Sequence, residues 1–124
     1  MQATLNTIII YARDIPKTVA FYRDYFGFET TGDIIEGLVE LRTGKGGMNI
    51  LVHHAAKSVK LGQVGVKLSF DVQDVAKFVQ AAQAQGLMFG PLHQANGYQF
   101  ANTKDPDNNS ISISSRAFRI SPSV

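Results

Sequence analysis

The sequence contains no cysteine, and it has no long uninterrupted run of apolar residues. Without cysteine there is neither a disulfide framework nor thiolate chemistry, which is typical of a cytosolic protein. No apolar stretch approaches the roughly 20 residues of a membrane-spanning helix. Residues 1–10 also lack the basic start and apolar core of a signal peptide. We therefore expect a cytoplasmic protein with no membrane partner.

Charge of either sign is also scarce, because charged residues make up 18% of the 124-residue chain and the net charge is +2. The 12 basic residues are scattered along the sequence, whereas nucleic-acid-binding surfaces are usually clustered basic faces. We therefore expect no nucleic-acid partner. Four acidic residues do gather in one segment, and we interpret them as a solvated face or loop: Glu29, Asp33, Glu36 and Glu40.

One layout occurs twice in the chain. Residues 7–27 read TIIIYARDIPKTVAFYRDYFG, and residues 67–86 read KLSFDVQDVAKFVQAAQAQG. Each segment has a strand-like run, an aspartate suited to cap a helix, a helical pattern and a closing glycine. Asp14 aligns with Asp74, and Val19 aligns with Val79. A repeat of about half the chain predicts two fused copies of one small module with a site between them.

Propensity and turn signals predict a β-α-β-β-β order in each module. The predicted helices begin after Asp14 and Asp74 and end at Gly27 and Gly86. The predicted strands are 7–12, 28–31, 37–43 and 48–54 in the first module, and 64–72, 87–90, 98–103 and 110–115 in the second.

We expect one domain over residues 1–124 with four parts. These are module 1 at about 4–54, a linker at 55–63, module 2 at about 64–116 and a tail at 117–124. A Gly-rich hairpin is predicted at 44–47 and a tight turn at 105–109, while Pro122 makes a regular strand in the tail unfavourable.

Three segments carry a resemblance to a known family. They are ARDIPKTVAFYRDYFGF at 12–28, SFDVQDV at 69–75 and DPDNNSISISS at 105–115. Together they resemble the vicinal oxygen chelate superfamily, which contains glyoxalase I, bleomycin resistance proteins and extradiol dioxygenases. The resemblance implies an α+β fold in which two βαβββ modules form an open, curled mixed sheet around a cleft. It also implies a homodimer.

The same resemblance implies four metal-ligand positions, which are usually His or Glu in the metalloenzymes of the family. The first-strand positions stand seven residues before the capping aspartates and fall on Thr7 and Lys67. The last-strand positions fall near Asn49 and on Ser112. Hydroxyl, amide and ammonium groups are poor ligands for zinc, iron or nickel. We therefore expect no metal and no other cofactor.

Strand alternation predicts which side chains line the cleft, because every second residue of a strand shares a face. If Thr7 points inward, so do Ile9 and Tyr11, and the other strands follow the same rule. No catalytic residue is predicted. The predicted ligand-binding residues are Thr7, Ile9, Tyr11, Asn49, Leu51, His53, Lys67, Ser69, Phe100 and Ser112.

Several of these residues have two interpretations. His53 is either a general base or metal ligand in the cleft, or a surface histidine beside His54 at a strand end. His93 lies in a Gly- and Asn-containing loop that either closes over the cleft or is only surface. Lys67 either extends into solvent or pairs with an acid, or its ammonium replaces the missing dication and attracts a carboxylate or phosphate.

Three functional hypotheses follow. The preferred one is a non-catalytic protein, similar to the bleomycin resistance branch, that binds a small organic molecule, with Lys67 favouring an anionic group on it. The second is a lyase, isomerase or dioxygenase-type enzyme that uses a displaced metal at His53 or cleft side chains. The third is an interaction module with a vestigial cleft whose role lies in dimerisation.

Overall fold

Both helices begin at the two aspartates that the repeat aligns. In a computed structural model, which describes residues 1–44 and 46–120, α1 spans Ile15–Phe26 and α2 spans Val75–Ala84. The carboxylates of Asp14 and Asp74 accept hydrogen bonds from backbone N–H groups three residues ahead, each at 3.1 Å. Such caps satisfy N–H groups that have no partner within the helix. Both predicted helix starts are therefore confirmed.

The helices end close to the predicted glycines. Gly27 adopts a left-handed φ of 73° at the C-cap of α1, and its N–H bonds back to the last turn. Glycine adopts this conformation without a steric cost, which explains the stop signal. α2 ends one residue earlier than predicted, with Gln85 as its cap. Within the described residues, neither helix has the length and hydropathy needed to cross a bilayer.

The chain divides into two units, and the first unit, Met1–Gln63, contains α1 and a mixed sheet. Its strands are β1 (Thr7–Ala12), β2 (Leu38–Leu41) and β3 (Asn49–His54), in the order β1-β3-β2. β1 runs parallel to β3, and β2 runs antiparallel to it. One face of this sheet packs with α1 and forms the core of the unit, with buried Val39, Leu41, Ile50 and Val52 from the strands and buried Val19 and Tyr22 from the helix.

The second unit, Val64–Val124, contains α2 and a four-stranded mixed sheet. Its strands are β4 (Lys67–Asp71), β5 (His93–Gln94), β6 (Gln99–Lys104) and β7 (Ser110–Ser114), in the order β4-β7-β6-β5. β4 is parallel to β7, and the other pairs are antiparallel. The sheet buries Leu68, Ala101, Ile111 and Ile113. A single 3-10 turn at Arg116–Phe118 follows β7.

The α+β class and the two mixed sheets are confirmed, but one predicted strand of the first module is wrong. Segment 28–31 contributes only an isolated pairing of Glu29 with Arg42. The hydroxyls of Thr30 and Thr31 accept from the N–H groups of Gly32 and Asp33, at 3.0 and 3.3 Å. These local bonds turn the backbone and compete with a strand ladder.

The predicted strand at 87–90 in the second module is also wrong, because the extra strand lies further on, at β5. Segment 87–90 still runs beside β6, since the Gly90 N–H donates to the Asn102 carbonyl at 2.8 Å and the Thr103 hydroxyl donates to the Met88 carbonyl at 2.9 Å. Pro91 then supplies no N–H, so a ladder cannot continue through it. β4 also begins at Lys67 rather than at residue 64.

Two connections have specific hydrogen-bonded structures. The predicted turn at 105–109 is confirmed, and the buried Asp105 carboxylate accepts three hydrogen bonds within it. The start of the predicted linker is held by Arg13, whose guanidinium donates to the carbonyls of Ala55, Ala56, Lys57 and Val59. Lys45 of the predicted hairpin and residues 121–124 of the tail lie outside the described residues. The assignment of both modules to one domain stays a prediction.

Candidate ligand-binding site

Strand register in the second unit places a row of polar side chains on one face of the sheet. Ser69 of β4 pairs with Ser112 of β7, which pairs in turn with Asn102 of β6. Directly paired residues point to the same face, and the opposite face carries the buried Leu68, Ile111 and Ile113. We call this side the polar face of unit 2; its members are Lys67, Ser69, Asp71, Phe100, Asn102, Lys104, Ser110, Ser112 and Ser114.

A cavity of about 250 Å³ lies on this polar face. Two cationic side chains, three hydroxyls and two aromatic rings line it: Lys67, Arg116, Ser69, Ser112, Ser114, Tyr98 and Phe100. Four of these residues, Lys67, Ser69, Phe100 and Ser112, were among the ligand-binding residues predicted from sequence. The structure therefore brings the second-module part of that set into one concave site.

Lys67 is fixed by an amide rather than by an acid. Its ammonium Nζ donates to Oδ1 of Asn102 at 3.2 Å, so the side chain crosses β7 to reach β6. An ammonium has three donors, and Lys67 forms no ion pair with any acid among the residues that the structure describes. Asp71 shares the face but lies four residues away on the strand, roughly 13 Å along it. Lys67 is exposed, and this bond directs its positive charge toward β6 without neutralising it.

Two hydroxyl groups of the site are nearly buried, since Ser112 and Ser114 are only 5% and 7% exposed. The Ser112 hydroxyl donates to the Ile113 carbonyl at 3.5 Å, well beyond the roughly 2.7–2.8 Å of a good O–H···O bond. Ser114 Oγ accepts from the Arg116 N–H at 3.1 Å, which fixes the backbone of Arg116 beside the cavity. Ser112 is thus a buried donor that a ligand oxygen would satisfy better than its present partner does.

The six predicted ligand-binding residues of the first module lie together on the other unit's sheet. Thr7, Ile9 and Tyr11 of β1 pair in register with Asn49, Leu51 and His53 of β3. Ile9 and Tyr11 are 52% and 45% exposed, so this is the open face of the sheet. The rings of Tyr11 and His53 lie 5.3 Å apart. The predicted alternation is therefore correct, while a ligand role for these residues stays a prediction.

Polar groups on this open face are engaged locally. His53 Nδ1 bonds to the His54 carbonyl at 2.7 Å, and because a carbonyl only accepts, Nδ1 is the donor in this bond. The Asn49 amide oxygen accepts from the Thr43 N–H at 3.2 Å. The Thr7 hydroxyl donates to Asn6 Oδ1 at 3.1 Å.

A second cavity, of about 440 Å³, lies in the first unit and was not predicted. Asp33, Glu36 and Glu40 line it together with Arg42 and Leu51. These acids are exposed, as the sequence interpretation expected. They also line this cavity, which the sequence interpretation did not include. The missed signal is Glu36–Gly37: both residues have positive φ, 54° and 78°, which makes a tight hairpin between Ile35 and Leu38.

The residues at the implied metal positions do not fit a metal ion. Thr7 and Asn49 are hydrogen-bonded locally, Lys67 presents an ammonium, and Ser112 presents a neutral hydroxyl. None of these groups is a good ligand for zinc, iron or nickel. Across residues 1–44 and 46–120, no three His, Cys, Asp or Glu side chains cluster closely enough to hold an ion.

Comparison with known proteins identifies the class. The sequence profile of the Glyoxalase/Bleomycin resistance protein/Dioxygenase superfamily matches residues 4–113. The chain therefore belongs to this superfamily, as the three motifs indicated. Among curated proteins, none matches the sequence significantly.

Solved structures share the fold. UcmS2 has a TM-score of 0.77 at 17% identity, with 93% of this chain and 99% of that chain covered. TnmS3, an antibiotic binding protein from Streptomyces sp. CB03234, has a TM-score of 0.75 at 16% identity, with 90% and 94% covered. Lactoylglutathione lyase from Agrobacterium tumefaciens has a TM-score of 0.69 at 22% identity, with 92% and 94% covered. At these identities the likeness shows the fold alone.

Three lining residues of the unit 2 cavity were absent from the predicted set: Tyr98, Ser114 and Arg116. Tyr98 and Ser114 each lie two residues from a predicted residue, Phe100 and Ser112. The period of two that placed Ser112 and Phe100 extends to Ser114 and to Tyr98, just before β6. Arg116 follows two residues after Ser114 but lies in a 3-10 turn, where strand alternation no longer applies.

Proposed function

We propose that this protein is a non-catalytic binding protein that holds a small organic anion in the unit 2 cavity. One observation carries the proposal: the cavity contains the Lys67 ammonium, which is fixed by a neutral amide and is joined there by the cationic Arg116. The rings of Tyr98 and Phe100 add apolar surface beside these charges, and small-molecule sites combine apolar surface with a few convergent polar groups.

The charges on and beside the polar face support an anion. Lys67 and Lys104 are cationic members of the face, and Arg116 follows it in the 3-10 turn. Lys104 is bound to the Ser110 hydroxyl at 3.0 Å. Asp71 is the acidic member of the face, and it does not line the cavity. A carboxylate or phosphate in the cavity would form charge-assisted hydrogen bonds with Lys67 and Arg116, the two cations that line it. Such bonds are roughly twice as strong as neutral ones.

The same lining supports binding over catalysis. Among the described residues that line the cavity there is no His, Asp or Glu, so no side chain is suited to act as a general base near neutral pH. The serines lack the histidine partner that would activate a hydroxyl as a nucleophile. The hydroxyls are therefore assigned to hydrogen bonding with the ligand.

The relatives are consistent with either role for the fold, since one is named an antibiotic binding protein and another a lactoylglutathione lyase. A shared fold hosts unrelated functions, so the choice depends on the site. The donor set at the implied metal positions and the lining of the cavity both favour the binding role for this chain. The enzymatic alternative rests on His53, whose bond to the His54 carbonyl uses Nδ1 and not Nε2.

The test is a thermal-shift panel of small organic carboxylates and phosphates, each run beside a neutral amide or alcohol counterpart. A specific ligand raises the unfolding temperature by mass action, and we expect the anions to do so more than their counterparts. Lys67→Met should weaken the anions about tenfold or more in calorimetry.

The matched control is Lys77→Met, which removes the same charge from an exposed position of α2 outside the cavity. It should leave affinity unchanged. Equal losses for anionic and neutral ligands in Lys67→Met would mean that Lys67 only shapes the cavity. No loss for either would mean that the ammonium does not contact the ligand, and the proposal would fail.

A further inference from the structure

Aromatic rings form a continuous row at one end of the unit 2 cavity. His93 of β5 pairs with Phe100 of β6, and their rings stack with centroids 4.9 Å apart and an interplanar angle of 28°. Tyr98 extends the row, with its centroid 6.3 Å from that of Phe100. Among the described residues, Phe100 and Tyr98 line the cavity and His93 does not. The imidazole therefore supports the Phe100 ring, and Phe100 keeps contact with the cavity.

Phe100 and Lys67 lie on the same face of the unit 2 sheet. Asn102, which holds the ammonium, and Phe100 lie two residues apart on β6 and on the same face. The Phe100 ring and Lys67 also line the same cavity. A ligand that carries a carboxylate on an aromatic ring would contact both groups at once.

We propose that the ligand is a planar aromatic carboxylate. The ring stacks on Phe100 beside Tyr98, and the carboxylate binds the Lys67 ammonium and accepts from the Ser112 hydroxyl. Phe100 and Tyr98 supply the ring faces for stacking, and Lys67 and Arg116 supply the positive charges for a carboxylate. This inference rests on the proposed function and adds the class of ligand to it.

The first experiment compares three probes on the wild-type protein by titration calorimetry: benzoate, cyclohexanecarboxylate and benzamide. Cyclohexanecarboxylate has the same charge and a more apolar ring without a π face, so burial alone would favour it. Stacking predicts that benzoate binds about fivefold more tightly than cyclohexanecarboxylate. The loss of the charge predicts that benzamide binds at least about tenfold more weakly than benzoate.

The second experiment uses variants of Phe100. Phe100→Leu should remove the preference for benzoate over cyclohexanecarboxylate, and Phe100→Tyr, which retains the ring, should preserve it. Ring-current shifts in NMR give an independent readout, because benzoate protons stacked on Phe100 move upfield in the wild type and in Phe100→Tyr. Circular dichroism checks folding, and if Phe100→Leu does not fold, the wild-type comparison of the probes decides.

The outcomes distinguish the aromatic class of the ligand from the proposed anion-binding function. A benzoate preference that vanishes in Phe100→Leu, together with benzoate binding that falls in Lys67→Met, supports the aromatic carboxylate. If both carboxylates bind equally and both depend on Lys67, the aromatic class is overturned while the proposed anion-binding function stands. If neither carboxylate depends on Lys67, the proposed function fails and the inference fails with it.

Discussion

Lys67 on β4 and Asn102 on β6 meet across the intervening strand β7, with Nζ 3.2 Å from Oδ1. The two residues are separated by 35 positions in the chain. Because the partner is an amide, the bond restricts the position of the ammonium without cancelling its charge. An acid at the same place would hold the lysine equally well and would compete with any anionic ligand.

Asn102→Asp tests this relationship directly. The new carboxylate should pair with Lys67, so the affinity for benzoate, measured by calorimetry, should fall about tenfold or more. Asn102→Leu is the matched control, because it removes the hydrogen bond without adding a charge and should cost less. If Asn102→Asp bound benzoate as tightly as the wild type, the ammonium would not be the group that recognises the ligand.

The elements that sequence reasoning placed correctly are those set by local chemistry. Asp14 and Asp74 cap helices through bonds to residues three positions away, and Gly27 ends a helix through its own φ angle. Strand faces follow from a period of two, so the sequence predicted that Ser112 and the buried Ile111 lie on opposite faces of the sheet.

The features that were missed depend on pairings between distant residues or on turns with no recognised signature. The partner of Lys67 follows from the β4-β7-β6 order, which no local pattern specifies. The acidic cavity depends on the hairpin at Glu36 and Gly37, where a non-glycine residue takes positive φ. The false strand at 87–90 satisfied strand propensity, but Pro91 and the pairing with β6 placed the strand further on.

Asp105→Ala is expected to destabilise the second unit strongly. The buried carboxylate accepts from the Asp107 N–H at 2.8 Å, the Asn109 N–H at 2.9 Å and Asn109 Nδ2 at 2.8 Å. Its removal leaves buried donors unsatisfied, so the free energy of unfolding should fall by about 3 kcal/mol. Chemical denaturation measures the change. Asp105→Asn retains one acceptor oxygen and should lose less; equal losses for both variants would contradict this account.

Arg13→Lys should lower stability although it conserves charge. The guanidinium reaches four carbonyl groups between Ala55 and Val59, and a lysine ammonium cannot reproduce that planar, forked arrangement. We expect the free energy of unfolding to fall by about 1–2 kcal/mol. The matched control is Arg23→Lys, since Arg23 is exposed and its guanidinium bonds to a neighbour in sequence, Asp24. That bond raises the pKa of Arg23 and lowers the pKa of the Asp24 carboxyl. A similar loss of stability in both variants would show that the bonds from Arg13 to the four carbonyls do not contribute to stability.

The protein is expected to form a homodimer in solution. Large apolar side chains are exposed on both units, including Ile34 and Ile35 on the first and Val64 and Val66 on the second. Two-fold association is the commonest way for a small protein to cover such surface. Light scattering at micromolar concentration should give twice the 13.5 kDa mass of the chain. A monomeric mass at that concentration would contradict the expectation.

The purified protein is expected to carry no stoichiometric zinc, iron or nickel. The four positions where the family resemblance implies ligands hold Thr7, Asn49, Lys67 and Ser112, and an ammonium at one of them would repel a cation. Elemental analysis of the protein, after dialysis without chelator, measures the content directly. One ion per chain that disappears on substitution of any of the four residues would refute the prediction. An ion that survives those substitutions but is lost in His53→Ala would instead locate a displaced metal site on the open face of the first unit, with Nε2 of His53 as the metal ligand, since Nδ1 bonds to the His54 carbonyl.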